Sequence, residues 1–219
     1  GFMCISSVLK QAGHRVEMFF DDQLDEARFV SEIRAFKPDI ICFSILSPSL
    51  EWSLRIGQKL KQACTAITVF GNVHSMMSKD IIEDPAVDIV CLGEGEMPLL
   101  DLANCIDEKK SYEHIEGFWV KTSDGIARNP DRKDLVDMDQ LPYYDRSMYD
   151  KYFFFKHSSY LRMLTGRGCP FHCSFCTNPV LTDHYGGAKA YPEYAEGYYA
   201  VYFEDPTRIK LEVVAEPPL

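Results

Sequence analysis

Three cysteines with the spacing C-x3-C-x2-C are the residues of this chain best suited to chemistry: Cys169, Cys173 and Cys176. Thiolate sulfur is the soft donor that iron–sulfur clusters require, and three thiolates leave one iron of a four-iron cube without a protein ligand. An iron with an open position can bind a substrate or cofactor. We therefore expect a 4Fe–4S cluster that takes part in chemistry, rather than one that only stores electrons.

The residues around these cysteines favour a cluster over the alternatives. Flanking glycines allow the backbone to wrap a bulky group, and Phe175 would keep water away from it. A zinc site usually needs four ligands, and only His172 or His184 is nearby to supply the fourth. A disulfide framework is disfavoured by the cytosolic character of the rest of the chain.

The cysteine spacing, with an aromatic residue directly before the last cysteine, resembles the cluster loop of the radical S-adenosylmethionine enzymes. The resemblance implies that the open iron binds S-adenosylmethionine, with Phe175 lining the cofactor site. It also implies an electron donor such as flavodoxin or ferredoxin and an unidentified small-molecule substrate. The family places this loop after the first strand of a β/α barrel, and residues 159–164 are predicted to form that strand.

Composition indicates an ordinary protein of the cytoplasm. Of the 219 residues, 46% are hydrophobic and 26% charged, and no apolar run is long enough to span a membrane. The net charge of -10 argues against a nucleic-acid surface, which needs clustered cations. Five further cysteines lie singly in apolar segments and are expected to be reduced core residues: Cys4, Cys42, Cys64, Cys91 and Cys105.

Helical segments alternate with short apolar ones through the first half of the chain. This alternation predicts an α/β fold with an open, doubly wound parallel sheet of the Rossmann or flavodoxin type. The predicted strands are 16–20, 39–45, 67–70 and 88–92, and the predicted helices are 2–12, 26–36, 50–63, 79–83 and 98–107.

Small residues follow three of the predicted strands, at the edge where such sheets bind ligands. This segment resembles the cobalamin-binding domain that precedes the barrel in one large class of radical S-adenosylmethionine enzymes. Ser44 and Leu46 match its S-x-L, Gly71 begins its glycine pair, and residues 93–96 match its G-E-G-E. The resemblance implies that cobalamin is lined by these residues: Ser44, Leu46, Gly71, Gly93 and Glu94.

The match has one clear departure. The family's other cobalamin signature, D-x-H-x-x-G, follows a first strand that would lie before Gly1, and no segment of this sequence supplies it. His74 lies at a strand end but is interpreted as a solvent-facing loop residue. A flavodoxin-like regulatory fold without a cofactor therefore remains an alternative, because a fold does not fix its ligand.

A hairpin and a linker are predicted next. Residues 117–127 have the pattern of a β-hairpin with an Asp-Gly turn. Residues 129–149 are acidic, contain proline and lack clear periodicity, as a linker would. Within them, residues 139–145 resemble the D-x-L-P connector found ahead of the barrel in the same class.

The pattern changes after the cysteines. Only 43 residues follow Cys176, where a barrel should continue for well over a hundred, and the glycine pair with an acidic residue that grips S-adenosylmethionine is missing. Residues 197–214 instead alternate as two antiparallel strands about an Asp-Pro turn. They resemble the closing hairpin of the vicinal-oxygen-chelate (glyoxalase-like) family, in which the counterpart of Glu212 often binds a metal. A solvated glutamate is the favoured interpretation here, because the other ligands are not present.

These observations predict four segments: a cobalamin-binding-like domain (1–112), a hairpin and linker (113–157), the start of a radical S-adenosylmethionine barrel (158–185) and a glyoxalase-like hairpin tail (186–219). The tail is hypothesised to come from a recombined or misassembled reading frame, which the encoding locus would test. We expect a fragment of a cobalamin-dependent radical S-adenosylmethionine enzyme that catalyses methylation or rearrangement. The alternatives are a non-catalytic cobalamin carrier or sensor, and a glyoxalase-like metal enzyme supported by the tail alone.

Overall fold

The computed structural model describes residues 1–21, 24–133, 136–153, 157, 167, 176, 199–204 and 210–215. The chain divides into two compact units, residues 1–163 and 164–219. The helices of the first unit are α1 (Phe2–Gln11), α2 (Glu26–Phe36), α3 (Leu50–Ala63), α4 (Val73–Met77) and α5 (Glu96–Asp107). Its strands are β1 (Ile40–Ser44), β2 (Ile67–Gly71), β3 (Ile89–Cys91), β4 (Phe118–Thr122) and β5 (Gly125–Arg128).

The five strands form one sheet in the order β1-β2-β3-β4-β5. Strands β1, β2 and β3 are parallel, whereas β4 and β5 are antiparallel to their neighbours. The predicted α/β class is confirmed, with a parallel sheet of β1, β2 and β3. The sequence did not predict that the hairpin would join this sheet. The predicted hairpin forms and continues the sheet, because Phe118 and Val120 bury their side chains in the same core as β3.

Residues 16–20, predicted as a strand, do not form one. No strand of the described residues pairs with them, and a strand is defined by its hydrogen-bonded neighbour rather than by its own sequence. The segment is held by other contacts. Arg15 donates to the Phe36 carbonyl at 2.8 Å, and the Tyr152 hydroxyl binds both the Phe20 N–H and the Met18 carbonyl, at 2.8 and 3.0 Å.

Helices cover both faces of the sheet. Side chains alternate along each strand, so Phe70 and Val90 enter the core beneath α3, while Val69 and Ile89 enter the core shared with α5. All four are essentially removed from solvent. Such two-sided burial explains why β2 and β3 have almost continuous apolar sequences.

A buried polar network fixes the amino ends of β2 and β3. Thr68 is inaccessible to solvent, and its hydroxyl donates to the Ala86 carbonyl at 2.6 Å. The Asp88 carboxylate accepts the Thr68 N–H at 2.8 Å and pairs with Lys61 of α3 at 2.6 Å. The network therefore links β2, the start of β3 and α3, and fixes the register of the two strands.

The predicted linker is clamped to α1 through Asp145. Its carboxylate accepts a hydrogen bond from Ser6 at 2.5 Å and pairs with Lys10 at 2.7 Å, while its N–H donates to the Met3 carbonyl at 3.2 Å. Burial acts to raise the pKa of Asp145, but the hydrogen bonds from Lys10, Ser147 and Ser6 together outweigh it and hold that pKa at about 2.

The second unit contains one described element, an antiparallel hairpin of β6 (Tyr199–Glu204) and β7 (Lys210–Ala215). This pairing confirms the two strands predicted for the tail. Glu212 lies opposite Tyr202 in the register. In the described parts of the chain, no helix is both long and apolar enough to cross a membrane.

The Asp145 clamp predicts a pH-dependent stability. Because the pKa of Asp145 is lowered from 3.8 to about 2, the clamp stabilises the fold above about pH 4 and is lost as the pH falls towards 2. Asp145→Asn should lower the free energy of unfolding by about 2 kcal/mol at pH 7. Near pH 2 the difference from the unmodified chain should vanish. Urea unfolding followed by the fluorescence of Trp52 and Trp119 measures this.

The matched control for this prediction is Asp150→Asn. Asp150 is exposed, lies on the same segment and forms no ion pair with a described residue. We expect it to leave the unfolding free energy unchanged at both pH values. An equal loss in both variants, or a loss for Asp145→Asn that persists at pH 2, would show that the clamp is not electrostatic.

Candidate functional site

The three parallel strands end at the same edge of the sheet, where Ser44 and Gly71 are direct register partners. The loops that follow β1, β2 and β3 therefore lie next to one another, and they carry the residues that the sequence proposed as a ligand site. We call this region the carboxyl edge and define it as residues 44–49, 71–74 and 92–95. Open α/β sheets bind ligands at this position.

Asn72, directly after β2, has the most unusual backbone of the carboxyl edge. Its φ of 83° and ψ of -174° fall in a region that is essentially restricted to glycine. Its side chain donates to the Ser44 hydroxyl at 2.9 Å and accepts the Val73 N–H at 2.7 Å. Backbone strain of this kind concentrates at functional sites, because only the surrounding structure can maintain it.

Asn72 was not among the predicted site residues, although Gly71-Asn72 matches the position of the family's glycine pair. The signal was available: asparagine is among the few residues other than glycine that adopt positive φ with any frequency. An asparagine that replaces the second glycine of such a pair therefore indicates that the glycine-like backbone is kept.

His74 is not the solvent-facing loop residue that was expected. It lies in the first turn of α4, is half-buried, and its Nδ1 is 3.0 Å from the Ser47 hydroxyl. Its N–H also reaches the Ile45 carbonyl at 3.5 Å. His74 therefore connects the loop after β1 with the loop after β2.

Leu46 presents an apolar surface at the carboxyl edge. Its neighbour Ile45 is fully buried, whereas Leu46 is 52% exposed. The turn is fixed by Ser49, whose hydroxyl accepts the Leu46 N–H at 3.1 Å and donates to the Leu46 carbonyl at 3.0 Å. A ligand that covered this side chain with apolar surface would gain free energy from its burial.

Gly71 and Gly93 differ in how much space surrounds the position that a Cβ would occupy. A Cβ at Gly71 would make ordinary contact with Cys91 at 3.5 Å. Gly93 has a φ of +75°, and no atom of the described residues lies within 4 Å of the position of a Cβ, so these residues leave the space above it open. A bulky ligand could therefore approach the backbone closely at Gly93.

Glu94 makes a contact that the sequence did not predict. Its carboxylate accepts the Val136 N–H at 3.3 Å. The residue thus binds the segment that follows the hairpin, and its role in lining a ligand remains a prediction.

The described cysteines form no disulfide: Cys4, Cys42, Cys64, Cys91, Cys105 and Cys176. Burial raises the pKa of Cys42 to about 12 and also raises that of Cys91. Both thiols are therefore expected to be protonated at neutral pH, as buried core residues are.

The predicted cluster loop is described only in part. Cys169, Cys173 and Phe175 lie outside the described residues, as do residues 159–164. Cys176 is half-buried. Within the described residues, no group of three or more His, Cys, Asp or Glu side chains could hold a metal ion.

Comparison with known proteins shows a resemblance in the first unit. Residues 1–103 match the family model of the B12 binding domain. The match covers strands β1 to β3 and the carboxyl edge.

Two named proteins are similar to this chain. The anaerobic magnesium-protoporphyrin IX monomethyl ester cyclase of Rubrivivax gelatinosus is 26% identical over 79% of this chain and 33% of its own length. The hopanoid C-3 methylase of Methylococcus capsulatus is 27% identical over 81% of this chain and 35% of its own length. The chain therefore spans about a third of the length of these relatives.

Among solved structures, the cobalamin-dependent S-adenosylmethionine radical enzyme OxsB with aqua-cobalamin and S-adenosylmethionine bound matches with a TM-score of 0.66. It is 21% identical, and the match covers 80% of this chain and 25% of OxsB. The radical S-adenosylmethionine methyltransferase TsrM from Kitasatospora setae, with cobalamin and a [4Fe-4S] cluster bound, matches with a TM-score of 0.59 and 18% identity. At these identities, the matches show a shared fold.

The strain at Asn72 is tested by comparing two substitutions. Asn72→Gly and Asn72→Ala both remove the hydrogen bonds to Ser44 and Val73, but only alanine keeps a Cβ in the glycine-like conformation. Asn72→Ala should therefore be less stable than Asn72→Gly by about 1–3 kcal/mol. Urea unfolding followed by tryptophan fluorescence measures the difference, since Trp52 and Trp119 both lie in the first unit. Equal stabilities would mean that Asn72 is unstrained.

Proposed function

We propose that this chain belongs to a cobalamin-dependent radical S-adenosylmethionine enzyme and binds cobalamin at its carboxyl edge. The observation that carries the proposal is the match of residues 1–103 to the B12 binding domain, together with an open carboxyl edge on the same residues. The named relatives add support, because they include a methylase and a cyclase, and the structural matches include enzymes with cobalamin bound.

The residues of the carboxyl edge fit a large, flat cofactor. Leu46 offers an exposed apolar surface, and Gly93 leaves empty space above the backbone. Between them, Ser44 and Asn72 offer polar groups that are already oriented by their mutual hydrogen bond. Cobalamin has both apolar faces and amide side chains, so this combination of groups suits it. We propose that Ser44, Leu46, Gly71 and Gly93 contact it, with Glu94 nearby.

The role of these side chains is to hold the cofactor, orient it and exclude water. When bound, cobalamin would supply methyl-transfer or rearrangement chemistry to a small-molecule substrate. The Ser47–His74 contact and the hydrogen bond from Asn72 to Ser44 keep the loops after β1 and β2 in one arrangement before the cofactor arrives. Such preorganisation lowers the entropy lost on binding.

We further propose that Cys169, Cys173 and Cys176 hold a 4Fe–4S cluster that binds S-adenosylmethionine. Three thiolates at this spacing leave one iron open for that ligand, and a small electron-transfer protein such as flavodoxin or ferredoxin would supply the electron. Cys42 and Cys91 lie in the core of the first unit, away from the C-x3-C-x2-C segment in sequence. A non-catalytic cobalamin carrier is the competing function, and it predicts cobalamin binding without cleavage of S-adenosylmethionine.

Cobalamin binding is tested with a matched pair of glycine variants. Gly93→Leu fills the empty space at the carboxyl edge, whereas Gly125→Leu changes another glycine with positive φ and open surroundings, in the β4–β5 turn. Gly93→Leu should weaken the affinity for hydroxocobalamin at least about tenfold, which corresponds to 1.4 kcal/mol, and Gly125→Leu should leave it unchanged. Equilibrium dialysis monitored by corrinoid absorbance measures both, and equal affinities would exclude a site over Gly93.

The cluster is tested by anaerobic reconstitution with iron and sulfide, followed by EPR spectroscopy with and without S-adenosylmethionine. Replacing Cys169, Cys173 and Cys176 with alanine should abolish the cluster signal. The control, Cys64→Ala with Cys105→Ala, should retain it, because both residues lie in the first unit among apolar side chains. A cluster signal that S-adenosylmethionine does not change would contradict the proposed enzyme function and favour the non-catalytic cobalamin carrier.

A further inference from the structure

Three exposed side chains with large apolar surfaces lie around the carboxyl edge, on three different segments. Leu46 is in the loop after β1, Met77 is in α4 after β2, and Tyr143 is in the segment that follows the β4–β5 hairpin. Their exposed fractions are 52%, 54% and 100%. A single exposed apolar side chain is ordinary, whereas several around one opening indicate a binding surface. We call these three residues the apolar rim.

The pitch of α4 places Met77 on the side of Leu46. Residues three positions apart share one face of a helix, so Met77 lies on the same face as His74. On that face the His74 ring contacts the hydroxyl of Ser47, which directly follows Leu46, at 3.0 Å. Helical side chains also lean towards the N-terminal end of their helix, and α4 begins at the carboxyl edge. Met77 and Leu46 therefore border the same opening.

Tyr143 belongs to a segment, residues 136–145, whose two ends are hydrogen-bonded near the carboxyl edge. At its start, the Val136 N–H donates to the Glu94 carboxylate at 3.3 Å. At its end, the Asp145 N–H donates to the Met3 carbonyl in the first turn of α1 at 3.2 Å. Two residues of extended chain span only about 7 Å, so Tyr143 stays close to the Asp145 anchor.

The first turn of α1 lies next to the loop after β3, since a Cβ at Gly95 would be 3.2 Å from Ile5 Cδ1. Both anchors of segment 136–145 are therefore at the β3 end of the carboxyl edge, whereas Leu46 and Met77 are at the end formed by β1 and β2. The apolar rim thus borders the edge on two sides. Along the strand ends between these sides are the hydrogen bond of Asn72 to Ser44 and the open space over Gly93.

We propose that the apolar rim holds the corrin ring of cobalamin, with Met77 and Tyr143 as two contacts beyond those already named; this inference rests on the proposed cofactor site. An occupant of the opening meets apolar side chains on two sides and polar groups along the strand ends. A corrinoid offers both, because its ring has apolar faces and methyl groups and carries amide side chains around its periphery. Each rim contact would remove apolar surface from water and so stabilise the complex.

The test compares the hydroxocobalamin affinities of truncating and conservative variants by equilibrium dialysis. Met77→Ala and Tyr143→Ala should each weaken the affinity at least about fivefold, because each removes contact surface. Met77→Leu and Tyr143→Phe keep that surface and should bind as tightly as the unmodified chain. The matched control is Phe153→Ala, which removes another exposed aromatic ring, one that contacts the ring of His157. It should leave the affinity unchanged.

Hydroxyl-radical footprinting read by mass spectrometry gives an independent measurement, because exposed methionine and tyrosine side chains are oxidised. Saturating hydroxocobalamin should remove most of the oxidation of Met77 and Tyr143. Tyr112, which follows the end of α5 at the opposite edge of the sheet, is the internal reference and should keep its rate of oxidation.

Unchanged affinity in both alanine variants would overturn the role of the apolar rim and leave the proposed cofactor site in place. Unchanged oxidation of Met77 and Tyr143, at a cofactor concentration that dialysis shows to be saturating, would do the same. The absence of any hydroxocobalamin binding would overturn both proposals. If a higher protein concentration alone suppressed the oxidation, the apolar rim would be an interface with a second copy of the chain, which would also overturn the inference.

Discussion

The fold of the first unit depends on covering both faces of three short parallel strands. Phe70 and Val90 are buried on one face and Val69 and Ile89 on the other, so no strand residue in the middle of the sheet can reach solvent. A polar residue meets this constraint within a strand only if it is hydrogen-bonded, as Thr68 is, and otherwise lies beyond the strand ends. The carboxyl edge therefore collects Ser44, Asn72 and the glycines, and a ligand site follows from the burial of the rest.

The carboxyl edge is held in a prepared arrangement. The Asn72 side chain fixes Ser44, the Ser47–His74 contact joins two loops, and Ser49 holds the Leu46 turn. These bonds lie between loops that would otherwise be free to move separately. They also keep a glycine-like backbone at a residue that is not glycine, which indicates that the loop geometry matters more than its local cost.

The sequence predicted best where the signals were local. Helices α2 and α3 begin and end at the predicted residues, because their signals are close in sequence. Asp25 caps α2 and Pro38 follows it, Pro48 and Ser49 precede α3, and both helices have an apolar stripe. The strand prediction for residues 16–20 was wrong because a strand depends on a partner that is distant in sequence. Three further contacts were not predicted for the same reason: the pairing of the hairpin with β3, the contact of His74 with Ser47 and the clamp of Asp145 on α1. Each of them joins residues that are 27 or more positions apart in the sequence.

The contacts of Asp145 and Tyr152 with the beginning of the chain have a consequence for synthesis on the ribosome. Asp145 holds α1, and the Tyr152 hydroxyl satisfies backbone groups of Met18 and Phe20, more than 130 residues earlier. The beginning of the chain is therefore translated long before the groups that complete its contacts. Until residue 152 has left the exit tunnel, α1 and segment 14–21 lack the contacts that Asp145 and Tyr152 provide. In this interval the nascent chain is most open to chaperones or misfolding.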